Sequence, residues 1–185
     1  GMPDAFNKTP LKDLTDASPA ALIIGIGLCN LQENVVTAFC DWQVEQTDTK
    51  ITLTTTQAHQ SCALELTRTV TLQNRTIRSH THVKNTGKAP SPLNWFPHPF
   101  YPQPKTDELC KFNVPVNFSD NLGFEQLDNG FISRKNFPQG SGFYQALNHN
   151  AHTNLTVLQK HPTLGLVSAT CSYVPSFFPI WGNAN

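Results

Sequence analysis

An all-β fold is what this sequence predicts, and three observations predict it. Its 14 prolines break helix interiors, because the ring removes a backbone donor and clashes with the preceding turn. Threonine is abundant, and β-branched side chains suit a pleated surface better than a helix. Apolar and polar residues alternate in many short runs, the period-two pattern of a strand with one buried face.

In chain order, the first patterned stretch is Ala20 to Cys29, an apolar run interrupted by Gly25 and Gly27. Gln43-Val44-Glu45-Gln46 and Ile51-Thr52-Leu53-Thr54 flank Thr47-Asp48-Thr49-Lys50 and read as a hairpin. The clearest strand begins near Leu64: Leu64, Leu66, Val70 and Leu72 share one face, and Glu65, Thr67, Thr69 and Thr71 share the other. Arg68 interrupts the apolar face, so it belongs at a rim or in a pair. After Gln73-Asn74-Arg75, a turn-compatible triplet, alternation resumes with Ile77 and Val83 on one face and Arg78, His80, His82 and Lys84 on the other. Asn85-Thr86-Gly87-Lys88 closes this strand, and a third leads through Leu93 and Trp95 toward His98, giving three consecutive antiparallel strands. Asp120 to Gly142, rich in Gly and Asn with scattered Phe, reads as loops and short strands. Leu155 to Leu158, Leu164 to Cys171 and Phe177 to Trp181 read as strands separated by Lys160-His161-Pro162-Thr163 and Val174-Pro175-Ser176.

At 185 residues the chain is expected to form one domain, 1–185, long enough to bury a full core. Thirteen basic residues balance 13 acidic ones, so no electrostatic footprint for nucleic acid or an anionic membrane is present. The longest apolar run falls short of a membrane span. Gly1-Met2 reads as a remnant ahead of a natural start, with no charged and then apolar leader after it, and a cytoplasmic protein is expected. Cys29, Cys40, Cys62, Cys110 and Cys171 are scattered without a C-x-x-C pair and read as free, mostly buried thiols. The Asn-x-Ser/Thr triplets at Asn7, Asn74, Asn117 and Asn154 then carry no meaning for glycosylation.

Chemistry concentrates in Asn94-Trp95-Phe96-Pro97-His98-Pro99-Phe100-Tyr101-Pro102. Proline fixes its own φ and restricts the residue before it, so the backbone around His98 is held stiff. An imidazole able to exchange a proton near pH 7, beside flat aromatic rings, suits a pyranose, which offers both a C–H face and hydroxyls. His80 and His82 share one strand face, but no glutamate follows in a metal-barrel pattern, and no metal or other cofactor is expected. Gly25-Ile26-Gly27 lacks the third glycine and the helix of a nucleotide site. No Gly-x-Ser-x-Gly elbow marks a covalent nucleophile.

The succession Leu66-Thr67-Arg68-Thr69-Val70-Thr71-Leu72, Val83-Lys84-Asn85-Thr86-Gly87, Pro92-Leu93-Asn94 and His98-Pro99-Phe100-Tyr101 resembles the galactose mutarotase (aldose 1-epimerase) family over about residues 40 to 105. A weaker likeness continues through Ser172-Tyr173-Val174-Pro175 and Phe177 to Trp181. The resemblance implies a large antiparallel β-sandwich, the galactose mutarotase-like supersandwich, binding a hexose or derivative on a concave face. It implies ring opening and reclosure at the anomeric carbon: a base takes the C1 hydroxyl proton while an acid protonates the ring oxygen, and an imidazole of ordinary pKa about 6.5 suits either half. His98 matches the family's motif histidine and is the expected catalytic residue. Trp95, Phe100, Tyr101, Trp42, Asn94 and His82 are the expected sugar contacts.

Two departures stand out. A histidine-glycine segment with a nearby arginine precedes the family's counterpart of Trp42, whereas here Asn34-Val35-Val36-Thr37-Ala38-Phe39-Cys40-Asp41 contains neither His nor Arg. The family's catalytic glutamate follows the strand that resembles Phe177 to Trp181, and the last glutamate in this sequence is Glu125. The domain is therefore expected to lack its C-terminal part, or to be a divergent member. Two functions follow from the same fold: an epimerase if a base is supplied, or a non-catalytic carbohydrate-binding or regulatory module.

Overall fold

The computed structural model describes residues 4–6, 10–13, 15–98, 101–102, 104–135, 142–150, 153–172 and 178–183. Among them there is no helix, and every strand pairing is antiparallel with no closed barrel, as the proline and threonine content predicts. The chain forms two compact units, Gly1–Phe100 and Tyr101–Asn185.

The first unit contains β1 (Asp4–Phe6), β2 (Ala20–Ile23), β3 (Gly27–Asn30), β4 (Val35–Phe39), β5 (Gln43–Gln46), β6 (Lys50–His59), β7 (Cys62–Gln73), β8 (Thr76–Asn85) and β9 (Trp95–Pro97). They form a sheet ordered β2-β3-β4, a sheet ordered β5-β6-β7-β8 and a ribbon of β1 with β9. The β7–β8 hairpin turns at Asn74-Arg75 between paired Gln73 and Thr76. Asn74 has φ 54 there, a left-handed conformation that asparagine tolerates. Alternation along β7 aims Cys62, Leu64 and Leu66 at Leu11, Leu22 and Ile24, so the two larger sheets close on one apolar core. Burying each leucine contributes about 1.5–3 kcal/mol. The opposite face of the β7–β8 pair is polar, with Thr67 opposite His82 and Thr69 opposite His80. Arg68, the interruption on the apolar face, donates from its guanidinium to Ser79 Oγ at 3.0 Å.

Two devices hold these strands in place, one between the sheets and one within the β2-β3-β4 sheet. Gln57 on β6 is 6% exposed; its Oε1 accepts from Gly25 N–H at 2.8 Å, and its Nε2 donates to Ile23 C=O at 3.2 Å. At Gly27, with φ +137, a Cβ would stand 2.0 Å from Ala38 C=O. Only a residue without a side chain lets β4 approach β3 so closely.

The third consecutive strand expected after β8 does not join its sheet. β8 is a sheet edge, and β9 pairs with β1 through Ala5↔Phe96 and Phe6↔Trp95. The cause lies in the connection. Asn85 accepts from Gly87 N–H at 2.9 Å and donates to Ala89 C=O at 2.9 Å, while Thr86 and Gly87 both donate to Ala63 C=O. The turn is thereby folded back onto β7, and Pro90 and Pro92 deny the following chain the donors a ladder needs.

The second unit contains β10 (Glu108–Phe112), β11 (Val116–Asn117), β12 (Phe124–Gln126), β13 (Ile132–Arg134), β14 (Gly142–His149), β15 (Leu155–His161), β16 (Gly165–Cys171) and β17 (Phe178–Asn183). A sheet ordered β12-β13-β10-β15-β16 packs on one ordered β11-β14-β17. Their shared core is Cys110, Phe112, Val116, Phe124, Ile132, Leu147 and Leu155. Phe112 and Phe178 meet edge to face across it at 5.0 Å, a geometry that the ring quadrupole favours. Pro179 sits in β17, an edge strand, where its missing donor disturbs no ladder. Each unit is thus a two-layer antiparallel sandwich with its own core. All five cysteines are free, with Cys29, Cys62 and Cys110 buried.

Candidate functional site

A polar-lined hollow in the first unit lies where the strands differ in length. β5 covers β6 only from Ile51 to Thr54, where Thr54 pairs with Gln43, and β6 runs on to His59. Beyond Thr54 the outer edge of β6 has no hydrogen-bonded strand neighbour among the described residues, and Gln57 there reaches the β2–β3 turn. The chain crosses between the sheets over Cys40-Asp41-Trp42, pinned by Cys40 N–H donating to Ile26 C=O at 2.9 Å.

The groove left there measures about 390 Å³ and is lined by Phe39, Asp41, Gln43, Thr54, Thr55 and Thr56 among others. It brings a carboxylate, a side-chain amide and threonines of β6 beside an aromatic ring that is 76% exposed at Phe39, with Thr54 and Thr56 on the face of the strand opposite Thr55. Thr55 is 3% exposed, and its buried Oγ1 has no hydrogen-bond partner among the described residues. A buried hydroxyl left in that state costs stability, and its oxygen is closed off from the groove. Gln57 also lines the groove, so the residue that clamps the sheets also shapes this wall.

The residues singled out from the sequence are placed as follows. Trp42 is 37% exposed; its Cζ2 lies 3.8 Å from where a Cβ would stand on Gly25, so the indole packs on the turn that Gln57 holds. Asn94 is exposed and leads into β9, where Trp95 is half-buried opposite Phe6, itself packed on the core. His98 follows β9 directly and is exposed. Its ring stands edge-on to Phe96, with centroids 5.5 Å apart at 85°. His82 is exposed on the polar face of β8 opposite Thr67. His98 is not among the residues lining the groove. Tyr101 belongs to the second unit, where burial, with the Cys171 and Cys110 thiols adding to it, pushes its phenol above the ordinary value. Pro99 and Phe100 lie outside the described residues, as do Tyr173 to Phe177.

Phe39, Asp41, Gln43 and Thr54 to Thr56 are the groove residues that sequence reasoning missed. Their signal was an aromatic residue and a carboxylate at the junction of two short strands, which takes meaning only once β6 is known to outrun β5. Among the described residues no group of three or more His, Cys, Asp or Glu side chains is placed to hold a metal ion, and no helix is long and apolar enough to cross a membrane. No family model matches this chain, and no curated protein or solved structure shows significant similarity to it.

Proposed function

We propose that this is a carbohydrate-binding protein of aldose 1-epimerase type whose first unit holds a hexose or hexose derivative in the β4–β6 groove. The observation that carries the reading is a groove wall that offers Asp41, Gln43, Thr54 and Thr56 beside the exposed ring of Phe39. A pyranose presents hydroxyls that both donate and accept, and this set supplies both kinds of partner. The exposed ring of Phe39 offers a face for the sugar's C–H groups.

In the catalytic form of this proposal, His98 protonates the ring oxygen during anomer exchange. The sequence pattern from Leu66 to Tyr101 supports that role, as does the exposed imidazole braced edge-on by Phe96. The second reading, a non-catalytic sugar-binding or regulatory module, is favoured by the absence of His98 from the groove lining. Free thiols throughout the chain support placement in the reducing cytoplasm. The balance of 13 basic and 13 acidic residues supports partners other than nucleic acid or a membrane.

Calorimetric titration with glucose and galactose, paired with optical rotation of the freshly dissolved α-anomers, tests both forms. Binding that Asp41→Ala abolishes, with faster mutarotation that His98→Ala lowers by about 10²–10⁴-fold, supports the epimerase. Binding without any acceleration supports the module. No heat with any hexose, or binding indifferent to Asp41→Ala, sinks the groove.

A further inference from the structure

The second unit carries a separate hollow of about 460 Å³ beside the turn between β15 and β16. Its apolar walls are Phe131, Pro162 and Leu166, and Lys105, Thr106, Lys160 and His161 bring its polar groups. Lys160 Nζ lies 4.9 Å from the centre of the Phe131 ring and pairs with the Glu108 carboxylate. Lys111 approaches the same ring at 6.0 Å while donating to Asn129 C=O at 2.7 Å. Cations held at an aromatic ring in this way keep their charge partly out of water.

The hydrogen-bonding character is one-sided. His161 Nδ1 accepts from the N–H groups of Thr163 and Leu164, both at 3.1 Å, which places the proton of the neutral ring on Nε2 as a donor. Lysine ammonium groups are donors only. The carboxylate of Glu108 is already occupied by Lys160 and by Asn129, the latter at 2.8 Å. Lys105 and Lys160 line the hollow and no carboxylate does; Glu108 is turned to Lys160 and Asp107 to Arg134, the latter at 3.9 Å. Below these donors, Leu166 is 66% exposed, and a Cβ on Gly165 would meet nothing within 4 Å.

Two ammonium groups and an imidazole N–H, with Thr106 the one side-chain hydroxyl beside them, set over an open apolar floor, match an anion better than a neutral sugar. We propose that this hollow binds a small organic oxyanion, a carboxylate or phosphate monoester on a flat apolar body. The anion sits among Lys105, Lys160 and His161 Nε2, and the body lies on Leu166 and Pro162.

The test is amide NMR titration of the full chain with phenyl phosphate and with benzoate, alongside inorganic phosphate and benzyl alcohol as the two halves of the ligand. Saturable shifts at Gly165 and Leu166 are expected from phenyl phosphate or benzoate, and the tighter of the two names the anion. Each isolated half should bind at least tenfold more weakly. Lys105→Met, an exposed position whose loss leaves the core untouched, should weaken binding tenfold or more. Leu166→Ser should weaken phenyl phosphate without changing inorganic phosphate. Absence of saturable shifts with both anions overturns the proposal, as does Lys105→Met binding like the native chain. Inorganic phosphate matching phenyl phosphate overturns the apolar body. The result is independent of the sugar groove, because hexose should leave these amides unmoved.

Discussion

Replacing Gln57 by leucine keeps nearly the same side-chain volume and removes both hydrogen bonds that tie β6 to the β2–β3 turn. Gly25 N–H then loses its only acceptor among the described contacts, whereas Ile23 C=O keeps a second donor, the Ile26 N–H at 3.1 Å. An orphaned buried donor costs about 1–3 kcal/mol and a lost neutral hydrogen bond about 0.5–1.5 kcal/mol. Gly25 is half-buried, so water recovers part of the first figure, and the sum is about 2 kcal/mol. The assay is hydrogen exchange at Gly25 N–H combined with urea unfolding of the first unit. Gln57→Leu should lower the protection of that amide by about 30-fold, since about 1.4 kcal/mol corresponds to a factor of ten. It should also weaken hexose binding, because Gln57 lines the groove. Unchanged protection at Gly25 together with an unfolding free energy in urea within about 0.5 kcal/mol of native would refute the clamp.

Gly27→Ala forces a Cβ to within 2.0 Å of Ala38 C=O at φ +137 and should cost about 3 kcal/mol or more in urea unfolding; a neutral effect would mean β3 and β4 are not held as described. The Glu108 carboxyl is held below its ordinary range by the Lys160 and then the Asn129 hydrogen bonds. A depressed folded pKa contributes stability above the ordinary glutamate value of about 4.3 and loses it as pH falls through the lower folded value. Glu108→Gln should therefore flatten the acid limb of a stability-against-pH curve below about pH 4.3, and an unaltered limb would contradict the pairing. Burial pushes the Cys110 thiol up to about 12, so iodoacetamide at pH 8 should leave it unmodified in the native protein and alkylate it after unfolding, as read by mass spectrometry. Early modification of Cys110 would place it outside the core.

Much of the first unit was legible because its strands carry their own instructions. The Leu64 to Leu72 alternation, the Asn74 turn and the Thr47 to Lys50 turn each act over a few residues, and each appears where the sequence places it. β2, β3 and β4 were not resolved as a sheet from sequence, because Gly25 and Gly27 break the run: Gly25 takes a left-handed turn conformation at φ +77, and Gly27 allows close backbone approach. β10 and β14 escaped for a different reason. Both are buried by pairing and packing with segments far along the chain, and neither shows clean alternation.

The sequence alone determined the strand-forming chemistry: proline exclusion of helix, the period-two faces and the thiols without partners. These are local properties, fixed by φ restriction and by which side of a pleat a residue occupies. Tertiary structure decided that β9 turns away to pair with β1, that β6 extends past β5, and that Thr55, Asp41 and Gln43 therefore share one groove. It also gathered Lys105, Lys160 and His161 around a single hollow. Such outcomes depend on which distant donors satisfy which acceptors and on strands of unequal length meeting, and no short stretch of chain encodes that by itself.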